Sequence, residues 1–283
     1  MLRKLSLFIL IICSFTFASI IEVNGSKTEF TLNQIDPSIL NFSLKTGDIV
    51  TKQETNGSEE FTRLSLPGFH ISRDAGEPEL PEIHRLIEIP QNANPRIEVI
   101  NSNYIDYTLE ELGINNRIFP AQPSLSKSQN PGDIPFEIRN DLYLQNTYLQ
   151  KELVSVNIEG QLRAIKIANL NIRPVYYNPT EGKLRIYTDL EVNIHMDGAN
   201  FSKTNEIKES YYSPYFESIY NQISNYSPTV RSDDMINDPV TYIIITNSIF
   251  LNTLGDFIDW KTQKGFNVIV GSTAEIGSST TAI

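Results

Sequence analysis

Histidine, cysteine and clustered carboxylates carry most metal ligation and covalent or acid–base catalysis, and this chain of 283 residues uses them sparingly. Its three histidines, His70, His84 and His195, lie far apart, with none of the short spacings of a metal site. His195 also falls on the polar parity of an alternating segment, so a surface or packing role is expected. Asp233 and Asp234 offer oxygens to calcium, but in a polar, charged stretch a solvated pair is the ordinary outcome. Gly265, Gly271 and Gly277 match no phosphate-binding fingerprint, and there is no Gly-x-Ser-x-Gly elbow. The other carboxylates form no evident acid–base pair. The residues by themselves predict no catalytic, metal or cofactor site.

Cys13 is the only cysteine. It lies in MLRKLSLFILIICSFTFASI, where Arg3 and Lys4 precede an apolar run from Leu5 to Phe17 and small residues follow. That order is the one found in secretory signal peptides. The run is shorter than the roughly 20 residues of a comfortable membrane span. Thr16 and Ala18 place the expected cleavage between Ala18 and Ser19. Removal of residues 1–18 leaves no thiol, and therefore no disulfide, thiolate metal site or cysteine nucleophile. No later segment is long and apolar enough to span a bilayer, so an exported product, secreted or at the cell surface, is expected. A net charge of −11, with no cluster of Lys and Arg, argues against a nucleic-acid partner.

The elements are β-like from about residue 20 to 200. In KLRIYTDLEVNIHM, Lys183–Met196, the apolar residues Leu184, Ile186, Leu190, Val192, Ile194 and Met196 share one parity, as in a strand buried on one face. The turn cluster NPTEG before it, and VYY before that, complete a hairpin. Val154, Val156 and Ile158 alternate likewise. Leu162 and Ala164 followed by Ile165 and Ile167 slip parity, which suggests a bulge or a doubly buried strand. Shorter runs near Leu86–Ile89 and Ile97–Ile100 are separated by proline. The pattern predicts an antiparallel β-sandwich over residues 19–226. Two stretches interrupt it: the proline-punctuated Pro78–Pro90, and PAQPSLSKSQNPGDIP, Pro120–Pro135, which reads as a long exposed loop. SPYFESIYNQISNY then predicts an amphipathic helix starting at Ser213 and Pro214, with Tyr212, Phe216 and Tyr220 on one row.

Residues 227–239 are polar and read as a linker. Beyond them the period changes. Tyr242–Ile245 is a continuous apolar run, a helical stripe runs from Phe250 to Lys261, and Phe266–Val270 is a second strand. A β-α-β unit with a parallel pair is predicted over 240–283. Because two parallel strands cannot cover themselves, these residues read as the truncated start of an α/β domain.

The residues now carry a resemblance. YIIITNSIFLNTLGDFIDWKTQKGFNVIVGSTAEIGSSTTAI resembles the start of the catalytic domain of gingipain-type cysteine peptidases, with Asp259–Val268 the most specific part. GEPELPEIHRLIEIP, YYNPTEGKLRIYTDLEVNI and YSPYFESIYNQISNY resemble the propeptide of the same family. The resemblance implies a secreted zymogen whose propeptide inhibits and helps fold a caspase-like catalytic domain in cis. It also implies that the His–Cys dyad of that domain is not among these residues, so this chain is expected to be inactive alone. If the propeptide covers an active site, an exposed loop is the natural contact, and Lys127 and Arg139 are the cations placed to fill a basic-residue pocket. Activation needs an exposed bond in the linker, where Arg231 is the only basic residue, and cleavage there would free Ser232. A second reading stays open: a secreted β-sandwich that binds a glycan or protein and carries a short α/β appendix.

Overall fold

The structure, a computed structural model, describes residues 18–25, 27–130, 132, 134–149, 151–213, 216–227 and 240–279. They fall into two compact units that part after Ser227.

Strands and helices are numbered in chain order. The larger unit holds three sheets. One has β1 (Ala18–Ile21), β4 (Ile49–Asn56), β5 (Glu59–Ser65) and β9 (Arg117–Ile118) in that spatial order. The second orders β10 (Val154–Leu162), β11 (Ile165–Ile172), β7 (Pro81–Glu88) and β6 (His70–Ile71). The third orders β12 (Val175–Asn178), β13 (Lys183–Asp197), β3 (Ile39–Lys45) and β2 (Glu29–Asp36), and β8 (Asn94–Thr108) also pairs with β13. All these pairings are antiparallel except the short β5–β9 contact. The fold is mainly antiparallel β, as the alternation predicts.

β13 shows why. Leu184, Ile186, Leu190, Val192, Ile194 and Met196 are all buried, Thr188 shares their face, and the residues of the other parity are not buried. These side chains meet Leu40, Phe42 and Leu44 of β3, Ile83 and Ile87 of β7, and Ile49 and Leu64 of β4 and β5 in one core drawn from all three sheets. The hairpin from Val175 to Lys183 is present, with Val175 opposite Ile186 and Asn178 opposite Lys183.

Three local expectations are corrected. The parity slip at Leu162–Ile165 is neither a doubly buried strand nor a bulge at that point. Arg163 and Ala164 form a two-residue hairpin turn, with Arg163 at φ +49°, that sets Leu162 opposite Ile165. The bulge of this hairpin lies between Ile158 and Gly160. The stretch Pro78–Pro90 does not interrupt the sheets. Pro81 takes the first position of β7, where its missing N–H breaks no ladder, and β7 lies between β11 and β6.

The third correction concerns the helices. A polar helix, α2 (Phe201–Tyr211), follows the last strand, its N-terminus capped by the Asn200 side chain. The predicted aromatic helix shrinks to α3 (Glu217–Tyr220); Pro214 and Tyr215 lie outside the described residues. The chain leaves the helix to close the part of the β7 edge that the short β6, opposite only Pro81 and Glu82, leaves open. Ser224 N–H donates to Leu86 C=O at 2.8 Å, and the Asn225 carboxamide brackets the Glu88 backbone at 2.6 and 3.0 Å. The aromatic row still packs: Tyr220 is fully buried among Tyr212, Phe216 and Tyr226 and rests on Ile165.

In the smaller unit β14 (Thr241–Thr246) and β15 (Asn267–Ser272) run parallel. A 3₁₀ turn (Ser248–Thr253) and α4 (Gly255–Gln263) join them, and α5 (Thr273–Ile276) follows. The predicted β-α-β order is present. One face of its sheet is not covered, with Ile243 63% exposed and Ile269 51%, while on the other face Tyr242 packs on Phe257 of α4. Among the described residues of this unit only Ser272 is buried.

Two outcomes follow from this contrast. Limited proteolysis is expected to leave a resistant core ending near Ser227 and to digest the smaller unit; equal protection of 242–270 contradicts it. Ile186→Ala is expected to cost about 2–5 kcal/mol in chemical denaturation, whereas Ile100→Ala, at an exposed position on β8, should stay within about 0.5 kcal/mol.

Candidate functional site

The loop expected at Pro120–Pro135 is present and exposed from Ser124 to Asn130. Its base is built on the turn that leads into β7. Gly76 sits there at φ +79°, a left-handed backbone that favours glycine. Its N–H donates to Ala121 C=O at 2.7 Å, and its own C=O accepts from Arg139 N–H at 2.9 Å, so one residue holds both limbs of the loop. A Cβ at this position would lie 2.9 Å from Arg139 Cγ and 3.0 Å from Arg139 N, so only glycine fits the approach. Ala121 N–H donates to Glu77 C=O and Glu79 N–H to Phe119 C=O, both at 2.8 Å, which lays the outgoing limb along this turn.

Side chains fasten the base further. Phe136, on the returning limb, stands 5.6 Å from Phe61 and 5.7 Å from Phe119, ring to ring. The Arg63 guanidinium lies 4.2 Å over the Phe119 ring and donates to both Glu79 oxygens at 2.6 and 2.8 Å. Burial raises the Glu79 carboxyl above its ordinary pKa, outweighing the pull of Arg63. Tyr143, in the short helix α1 (Asn140–Tyr143), donates its hydroxyl to Ile118 C=O at 2.7 Å. The Gln122 carboxamide crosses the neck: Nε2 donates to Glu137 C=O at 2.9 Å and Oε1 accepts from Glu137 N–H at 3.0 Å.

The two loop cations have different surroundings. Arg139 stands at the base, where its guanidinium donates to Glu77 at 3.2 Å and Asp141 at 2.9 Å. Lys151 joins the same group through Glu77 at 3.2 Å and through Asp74. Lys127 stands at the tip. Ser126 C=O accepts from Gln129 N–H at 3.1 Å, and Ser126 N–H donates to the Gln129 side chain at 2.8 Å. This closed turn carries Lys127 as its second residue, exposed and the one cation between Pro120 and Ile138.

Beside the base a cleft of about 500 Å³ is lined in part by Glu77, Glu82, Tyr148, Lys151 and Arg173. Its charges answer one another: Arg173 donates to Glu82 at 2.9 Å, and Lys151 pairs with Glu77. His70 and His84, distant in sequence, meet with ring centroids 5.2 Å apart because β6 lies against β7. His84 also contacts Glu82 at 3.0 Å, and His195 contacts Glu98 at 2.7 Å. Among the described residues no group of three metal-ligating side chains gathers, and no helix is long and apolar enough to cross a membrane.

Ala18 and Ser19 open β1, where the Ser19 hydroxyl meets that of Thr51 at 2.6 Å. Arg231, Ser232 and the pair Asp233–Asp234 lie outside the described residues. Gly76, Gln122, Phe136 and Tyr143 were not singled out in the sequence. Only the glycine in a polar, proline-flanked run gave a local signal; the other three act on partners whose positions no local pattern specifies.

Comparison with known proteins bears on this arrangement. The family model described as Propeptide_C25 matches residues 32–222. Lys-gingipain HG66 of Porphyromonas gingivalis is 31% identical over 265 residues, 93% of this chain and 15% of its own length. Gingipain R2 of the same organism is 25% identical over 262 residues, 92% of this chain and 33% of its own. The chain thus spans a minor part of these curated relatives. A solved structure described as giving insight into zymogenic latency of gingipain K from Porphyromonas gingivalis superposes with a TM-score of 0.60 at 26% identity, covering 65% of this chain and all of that one. The complex of Porphyromonas gingivalis RgpB pro- and mature domains superposes with a TM-score of 0.56 at 19% identity, over 70% of this chain and 98% of that one, a likeness of fold. With its three-sheet unit matched through most of its length, the chain belongs to the Propeptide_C25 family.

Proposed function

We propose that the larger unit inhibits and helps fold a gingipain-type catalytic domain that follows it in the same precursor, and that Lys127 fills the basic-residue pocket of that domain. The observation that carries this reading is the loop: a lone cation on a closed turn, with both limbs fastened to a rigid β scaffold. A convex tip enters a cleft that a sheet face cannot, and a tip held in place loses little freedom on entry. Relatives named Lys-gingipain support a lysine in that place. Arg139, paired at the base with Glu77 and Asp141, serves as an anchor. The family match falls on the sandwich itself, which favours this reading over a glycan- or protein-binding module.

The same reading divides the chain into a signal peptide (1–18), a pro-domain (19–226), a linker (227–239) and the start of the catalytic domain (240–283). Export leaves Ser19 as the first residue, already within a paired strand. Activation proceeds by cleavage after Arg231, which frees a domain beginning at Ser232.

Two measurements test these assignments. The chain added in trans is expected to inhibit the catalytic domain of Lys-gingipain at micromolar concentration, and Lys127→Ala to raise the inhibition constant by about 30-fold or more, as loss of a buried anchor does. Arg139→Ala should act less. A wild-type chain without effect removes the inhibitory role, and an unchanged constant for Lys127→Ala removes that residue. Arg231→Ala in the full-length precursor is expected to abolish processing at that bond without loss of secretion; normal processing discards the site.

A further inference from the structure

Resting on the reading that Lys127 is presented to a catalytic domain, we propose that Gln122 is a positioning residue for that lysine: its carboxamide closes the neck of the loop and thereby sets where the tip stands.

The carboxamide uses both ends on the returning limb, accepting from Glu137 N–H at 3.0 Å and donating to Glu137 C=O at 2.9 Å. That reciprocal pattern is the one two strand residues exchange across an antiparallel ladder. A side chain supplies it because the outgoing limb, Pro120-Ala121-Gln122-Pro123, has few backbone donors to offer: its two prolines have none, and Ala121 N–H is engaged with Glu77. Nε2 also donates to Pro120 C=O at 2.9 Å, so the same amide ties its own limb. Below this point the limbs rest on Gly76. Above it, among the described residues, the bonds within the loop are those of the turn at Ser126–Gln129. The returning limb has a second hold in Phe136 against Phe61 and Phe119, whereas the outgoing limb beyond Ala121 has Gln122. Opening the neck therefore frees the side of the loop that leads to Lys127.

Gln122 belongs to neither hydrophobic cluster, so its contribution to presentation separates from its contribution to the fold. The test compares Gln122→Ala, Gln122→Glu and Lys127→Ala in the full chain. Three quantities are read: inhibition of Lys-gingipain catalytic domain in trans, hydrogen exchange at the Glu137 amide, and the thermal midpoint. For Gln122→Ala the Glu137 amide should lose protection. The inhibition constant should rise about tenfold, the scale of two neutral hydrogen bonds that preorganise a binding loop, while the midpoint moves by no more than about 3 °C. Gln122→Glu, which keeps the acceptor for Glu137 N–H and loses the donor, should fall between. Unchanged protection at Glu137, or lost protection with unchanged inhibition, overturns the proposal. Lys127→Ala reports on the underlying reading separately. If it weakens inhibition and Gln122→Ala does not, the neck has no positioning role. If only Gln122→Ala weakens inhibition, the neck stands and the presented residue is not Lys127. If neither does, both fall.

Discussion

A strand of fifteen residues has two long edges, and every N–H and C=O along them needs a partner once the strand is buried. β13 meets this demand in an asymmetric way. Along one edge β8 follows it from Thr108 opposite Lys183 to Asn94 opposite Asp197. The other edge is divided between β12, opposite Lys183–Ile186, and β3, opposite Asp189–His195. Pairing with β3 and β8, together with the β7–β11 pairing, joins the segment before the long loop to the segment after it. The loop at 122–137 thus leaves and re-enters a body whose two halves are joined by these pairings.

The match between β8 and β13 is not perfect, and the faults are informative. Two register shifts occur, one at Thr188 on β13 and one at Ile100 on β8. Thr188 is the polar member of the inward row, and its groups are used locally. Its C=O accepts from Thr46 N–H at 2.9 Å and from Asn24 at 3.0 Å, and its hydroxyl donates to Asn103 C=O at 3.3 Å. A bulge here lets the strand coil around the core without leaving a buried hydroxyl unpaired.

At the loop base, charge and aromatic packing act together. Arg63 is placed by the Phe119 ring beneath it and by the buried Glu79 beside it, and Phe119 in turn receives Phe136. Removing Arg63 would leave the Glu79 carboxyl buried without its partner, where such losses typically cost about 3–5 kcal/mol, whereas Arg63, partly exposed and also near Glu54, would lose less with Glu79. The exposed pairs around Arg139 and Lys151 are weaker holds, screened by solvent. The base is therefore firm beneath Phe136 and more yielding toward the neck.

Much of this was legible in the sequence because it depends on near neighbours. Alternation in Lys183–Met196 decided which face of β13 is buried, the polar, proline-rich composition of 120–135 decided that its middle, Ser124 to Asn130, stays outside although Pro120 and Ala121 are buried, and the stripe from Phe250 to Lys261 decided that a helix joins two parallel strands. The aromatic row around Tyr220 also declared its packing, though not its helix length, since the pull of the β7 edge on Ser224 and Asn225 has no local sign. What the sequence left undecided lies in contacts between distant segments. Whether Pro78–Pro90 is a connector or a strand, whether His70 meets His84, which of Lys127 and Arg139 is free, and which glycine bears both limbs of the loop all depend on how three sheets close around one core. The physical reason is that periodicity follows from backbone geometry within a few residues, whereas partners across tens of residues are selected by the joint packing of the whole unit, which no single segment encodes.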